Sequence, residues 1–288
     1  PMSWNLEAKV DASDLKFTVP AHIAELRNKV LAFVETKCYP LERLHQASKL
    51  NAGRLTASQT SEFSSRLRVL QNAAKAEGLW ALGHPKEIGG GGLPFRDYIY
   101  VNEVQGRCEL AMVALGTHSL QDSLMLYNHA SPAIKQQYLG GVVAAEIYPS
   151  FAMTEPDIVS SDPTGIQANA YVDTATNEWV INGRKWWTSN AANAAFTSVM
   201  VRTEKNVDPH FAFSIILVPT NTPGYNIQRS THVLGTEGVD HSEVVYDNVR
   251  VPFDHLIGQR GAGFLIAQER LGPGRIFHCM RWLGQMQR

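Results

Sequence analysis

The residues best suited to chemistry sit in three short stretches. Phe151, Met153 and Thr154 lie in FAMTEPDIVSSD, which closes on Ser160, Ser161 and Asp162. VINGRKWWTSNA carries the paired indoles Trp186 and Trp187 and the hydroxyl of Ser189. ERLGPGRIFHCMR carries Arg270, Arg275 and Arg281. A hydroxyl both donates and accepts a hydrogen bond, an indole offers a broad flat face, and a guanidinium is a natural bidentate donor for a phosphate. Taken singly, these residues leave the function open. Thr154-Glu155-Pro156 also suits a turn in which Thr caps backbone, the tryptophans also suit a sheet core, and the arginines also suit a solvated helix face.

Other chemistries find little support. Gly89 to Gly92 form a glycine run without the GK[ST] ending of an ATP loop or the spacing of a dinucleotide fingerprint, so a plain turn is expected. Ten histidines and three cysteines (Cys38, Cys108, Cys279) show no HExxH, CxxC or clustered pattern, so no metal site is expected and the thiols read as buried or incidental. The net charge of -1 gives no reason to expect nucleic acid or an anionic membrane as the main partner. No stretch approaches the roughly 20 apolar residues of a membrane span, and no secretory signal opens the chain.

The elements that must position these stretches change character once. Up to residue 147 the pattern is helical: Ile23, Leu26, Val30 and Phe33 form one stripe, and Phe63, Leu67, Leu70 and Ala74 another on a helix over 58–76. A helix is expected over 97–115, and one over 132–140 capped by Ser131-Pro132. From residue 148 to about 255, short β-branched and aromatic runs divided by Gly, Pro, Asn and Asp predict an antiparallel β domain, with Ile166, Ala168 and Ala170 on a buried face. From Gly263 the helical pattern returns, and Gly272-Pro273-Gly274 is expected to bend or break it.

In this order the motifs resemble the acyl-CoA dehydrogenase family. FAMTEPDIVSSD is similar to a signature of an aromatic, TEP and a small-residue-Ser-Asp ending, and VINGRKWWTSNA is similar to INGxKxWxTN. LWALGHPKEIGGGG resembles the PxEYGG turn, and VRVP (Val249 to Pro252) and GxGF (Gly261 to Phe264) resemble the junction into the last domain. The likeness covers essentially the whole chain. Trp186-Trp187 and ERLGPGRIFHCMR most resemble the branch of family members 10 and 11.

The resemblance implies an α+β subunit in three parts. These are a helical N-terminal domain (1–147), a β-barrel-like middle domain (148–258) and the first helix (259–288) of a C-terminal helical bundle that is otherwise missing. It implies FAD as cofactor, acyl-CoA as substrate, desaturation at Cα–Cβ to the 2-enoyl-CoA, electron-transferring flavoprotein as acceptor and a homo-oligomer, dimer or tetramer. The compartment would be cytoplasmic in a bacterium, mitochondrial or peroxisomal in a eukaryote. An acyl-CoA oxidase, a nitroalkane-oxidising flavoenzyme and a short non-catalytic flavin- or CoA-binding member share the same motifs.

Carried over position by position, the family's cofactor contacts fall on Phe151, Met153, Thr154, Ser160, Ser161, Trp187 and Ser189. Thr154 meets the pyrimidine side of the flavin, Trp187 packs on its ring, and Ser189 replaces the threonine near N5. Trp186 faces the other way if the strand is regular. Ser160 stands where the family has glycine and would be strained at positive φ. Substrate contacts fall on Ser161, Leu271 and Arg275, the last reaching CoA phosphates, with Arg270 and Arg281 completing a basic strip. No catalytic base is expected on this chain. In most members it lies in a segment corresponding to positions past 288; in another branch it occupies the position of Gly274, and Glu269 is out of register.

Overall fold

The computed structural model describes residues 18–42, 44, 57–159, 162–233 and 240–288. Helix α1 (Ala21–Phe33) buries Ile23, Val30 and Phe33 of its expected stripe and runs on through a wide π-type turn, Val34–Cys38. Helix α2 (Ala57–Ala76) turns Phe63, Leu67 and Leu70 partly inward and Ala74 fully so. Helix α3 (Phe95–Gly106) buries Tyr98, Val101 and Val104. It stops short of the expected end at residue 115: Arg107 and Cys108 bond back to Val104 and Gln105 three residues earlier, which tightens the last turn before the short α4 (Ala111–Ala114).

Helix α5 (Leu120–His129) follows. Ser131 Oγ then accepts the Ile134 N–H at 3.3 Å, so the expected cap starts α6 (Pro132–Ile134), which passes through a π-type turn (Lys135–Leu139) into α7 (Gly140–Val143).

Strands β1 (Pro149–Ala152), β2 (Asn169–Asp173), β3 (Glu178–Ser189), β4 (Phe196–Arg202), β5 (Phe213–Pro219), β6 (Tyr225–Ser230), β7 (His241–Pro252) and β8 (Leu256–Ile257) make one sheet, seven of them in the order β6-β7-β3-β2-β4-β5-β8 and β1 paired with β4 off that path. Most pairings are antiparallel, as alternation predicts. β1 and β2 both lie parallel to β4, so the sheet is mixed where the chain enters it. Ile166, Ala168 and Ala170 are buried. Strand β6 has no counterpart in the sequence reading, because only Tyr225 of its six residues turns inward.

Helix α8 (Gly263–Gln287) runs without interruption through Pro273, which corrects the expected break. One turn earlier, Gln121 of α5 supplies a side-chain amide to the Arg270 carbonyl at 3.0 Å, and buried contacts hold the helix on both sides of the proline. Its approach to α3 needs glycine: a Cβ on Gly106 would sit 2.4 Å from Arg281 Cα, and one on Gly284 2.0 Å from the Glu103 carbonyl oxygen. Two apolar cores result. One joins α5 to α7 with the sheet and the start of α8; the other joins α1, α3 and α4 with Phe277 of α8.

Candidate functional site

A fully buried ion pair holds the two main motifs together. Lys185 Nζ lies 2.8 Å from Glu155 Oε1 and donates to the Met153 carbonyl at 2.9 Å. The Glu155 carboxylate also accepts the backbone N–H groups of Gln167 and Ala168 at 2.8 and 3.0 Å. Burial pushes the Lys185 ammonium down to about 8, against the pull of Glu155. The sequence reading passed over both residues. The signal was present in Glu155 of TEP and Lys185 of INGRK, but neither looks chemical until the strands bring them together.

Two hydrogen bonds extend this lock. The Trp186 N–H donates to the Thr154 carbonyl at 3.1 Å, and Thr154 Oγ1 donates to the Trp186 carbonyl at 2.8 Å. The Thr154 proton is therefore committed to the protein, and its lone pairs remain to accept a hydrogen bond. The regular strand assumed around the two indoles is not observed. The pairing of β3 with β7 jumps between Lys185 and Thr188, a bulge in which Trp187 adopts φ +53°. Trp187 stands 39% exposed with its ring 5.3 Å from that of Trp186, and the Trp186 indole N–H is buried without a partner. Ser189, just past the bulge, is exposed. Its hydroxyl lies 2.9 Å from His241 Nδ1, and its carbonyl accepts from Ser150 Oγ at 2.8 Å.

Opposite this edge stands the helical layer. Arg270 of α8 makes a bidentate pair with Asp122 of α5 at 2.9 and 3.0 Å, and its guanidinium lies 4.2 Å over the Phe151 ring. A cavity of about 440 Å³ opens here, lined among others by His118, Asp122, Phe151, Ser189 and Arg270. A second, largely apolar cavity of about 430 Å³ is lined by Leu93, Tyr98, Leu120, Leu124, Pro273 and Phe277.

The three arginines do not form one strip. Arg270 and Arg281, eleven residues apart, fall on nearly the same side of α8, and Arg275 lies about 140° round from Arg270. Arg270 is consumed by Asp122. Arg281 is half-buried beside His278 at 3.0 Å, and burial lowers its pKa. Arg275 is exposed, with one long contact to Gln268 at 3.4 Å, and Leu271 beside it is half-buried. Glu269 is paired with His129 at 2.6 Å. At Gly274, a Cβ would meet Gln121 Nε2 at 1.9 Å, so a side chain there would first have to push the Gln121 amide aside. Ser160 and Ser161 lie outside the described residues. Among the described residues, no group of three or more metal-ligating side chains occurs, and no helix is long and apolar enough to cross a membrane.

Comparison with known proteins identifies the family to which this fold belongs. Residues 21–146 match the acyl-CoA dehydrogenase N-terminal domain, and residues 150–249 match the acyl-CoA dehydrogenase middle domain. The chain belongs to the acyl-CoA dehydrogenase family. A Mycobacterium tuberculosis relative assigned as the acyl-CoA dehydrogenase FadE2 is 41% identical over 228 residues, 77% of this chain and 55% of its own length. Human acyl-CoA dehydrogenase family member 11 is 40% identical over 227 residues, 76% of this chain and 28% of its own length. A solved Mycobacterium abscessus structure assigned as an acyl-CoA dehydrogenase superposes with a TM-score of 0.83 at 36% identity, covering 93% of this chain and 68% of that one. The chain thus spans about half or less of the length of these two curated relatives.

Proposed function

We propose that this chain builds the helical and β portions of an FAD-dependent acyl-CoA dehydrogenase, which converts an acyl-CoA to the 2-enoyl-CoA and passes electrons to an electron-transferring flavoprotein. The observation that carries this is the bulge at Trp186-Trp187, clamped to Thr154 by two hydrogen bonds and anchored by Lys185–Glu155, with Ser189 at its edge. FAD, when bound, supplies the hydride acceptor that no side chain offers. The residues fit such a group: Trp187 presents an exposed indole face, Thr154 keeps lone pairs for a ring N–H, Ser189 presents a hydroxyl, and Phe151 and Met153 are half-buried alongside.

On the substrate side, Leu271 provides apolar surface, and Arg275, with its guanidinium almost uncommitted, takes a CoA phosphate; Ser161 belongs to the same assignment. The apolar cavity between α3, α5 and α8 suits an acyl tail. Asp122, the carboxylate lining the first cavity, is paired with Arg270, and Glu269 on α8 is paired with His129, so neither is free to act as base. The homo-oligomer belongs to this proposal as well.

The test is anaerobic mixing of a series of saturated acyl-CoAs with the flavin-loaded subunit joined to the family's base-carrying C-terminal segment, since no catalytic base is expected on this chain and it is expected to be inactive alone. Bleaching of the flavin with formation of a 2-enoyl thioester is expected for at least one chain length. Stable flavin binding with no reduction by any of them would overturn dehydrogenation. Rapid reoxidation of the reduced flavin by oxygen would favour the oxidase reading.

A further inference from the structure

The wall of the 440 Å³ cavity contains a polar side chain whose ring nitrogens are buried without a partner. His118, in the turn leading into α5, lines it together with Ser189, Phe151 and the Asp122–Arg270 pair. Asp122 and Arg270 satisfy each other, and Ser189 has His241. His118 has nothing: both ring nitrogens are buried without a hydrogen-bond partner. Its ring is held against Tyr148, with centroids 5.1 Å apart and planes at 48°. A buried unpaired imidazole is costly, and an oxygen of a ligand held in the cavity would relieve that cost. Burial also pushes this histidine down to about 4, partly opposed by Asp122. It is therefore neutral near pH 7, with one N–H to donate and one lone pair to accept.

We infer that His118 is a ligand-binding residue that hydrogen-bonds an oxygen of the acyl group of a bound thioester. This rests on the acyl-CoA reading of the cavity and goes further by naming the group that fixes the ligand within it. Two oxygens offer the required chemistry: the thioester carbonyl, or a hydroxyl on the chain. The thioester carbonyl would gain polarisation from the N–H, and a hydroxylated chain would be selected over a plain one.

The test is calorimetric binding to flavin-loaded wild type, His118→Phe and His118→Asn. The probes are octanoyl-CoA, its thioether counterpart octyl-CoA, which lacks the carbonyl oxygen, and ω-hydroxyoctanoyl-CoA. Loss of one hydrogen bond is expected to weaken binding roughly tenfold in His118→Phe, with partial recovery in His118→Asn. Loss for octanoyl-CoA but not octyl-CoA assigns the carbonyl. Loss confined to ω-hydroxyoctanoyl-CoA assigns the chain oxygen. Unchanged affinity for all three probes in a folded His118→Phe protein overturns the inference. Failure of the wild type to bind any probe instead overturns the functional reading beneath it.

Discussion

Lys185→Met is the sharpest perturbation of the site's scaffold. The lysine is fully buried, and its loss leaves the Glu155 carboxylate with two backbone donors but no counter-ion. Removing one partner of a buried pair costs about 3–5 kcal/mol. For a protein of this size, each kcal/mol lowers Tm by about 2–4 °C, so a fall of about 6–20 °C is expected. Glu155→Gln with Lys185→Met removes both charges and keeps one carbonyl for one of the amides. It should cost only about 1–3 kcal/mol, the penalty for the other amide left unsatisfied. The assay is a double-mutant cycle by urea denaturation, followed in parallel by flavin affinity. The double variant should be more stable than Lys185→Met alone. A cost below about 1 kcal/mol for Lys185→Met, or strictly additive costs, would refute the idea that this pair holds TEP against the bulged strand.

Further outcomes follow from the same geometry. His84 and His118 are each pushed down to about 4 by burial. The folded state therefore binds fewer protons than the unfolded chain between the ordinary histidine value of about 6.5 and about 4. Stability should be full above that window and fall as pH drops through it; His118→Phe should flatten part of the slope in pH-dependent melting, and an unchanged slope would contradict the shift. Gly274→Ala should push the Gln121 amide off the Arg270 carbonyl, a loss of about 0.5–1.5 kcal/mol set against a helix-propensity gain of about 1 kcal/mol, so stability should change by less than about 1 kcal/mol; a loss above about 2 kcal/mol would contradict the idea that Gln121 can move aside. Trp187→Phe should fold normally and bind FAD several-fold more weakly in a fluorescence titration, and equal affinity would remove Trp187 from the cofactor wall.

Much of this fold was legible because burial leaves a period in the sequence. The stripes Ile23-Val30-Phe33 and Ile166-Ala168-Ala170 face inward as their spacing requires, and Ser131-Pro132 caps a helix as its chemistry requires. Strand β6 was hidden because an edge strand with one buried residue has no alternation to read. Pro273 misled because helix continuity depended on Gln121 and on packing against α3, both remote in sequence. The site was legible as a set of motifs but not as a mechanism. The bulge that turns Trp187 outward is a matter of strand register, and the isolation of His118 exists only once the other polar groups have found partners.

The most direct test is the visible absorption spectrum of the purified chain titrated with FAD, for wild type and for Thr154→Val, Trp187→Ala and Ser189→Ala. A saturable, protein-perturbed flavin band in the wild type, weakened in each variant without loss of fold, is the expected result. A folded wild-type chain that leaves the spectrum of free FAD unchanged, or three variants that bind it as the wild type does, would contradict the proposal that these residues form a flavin site.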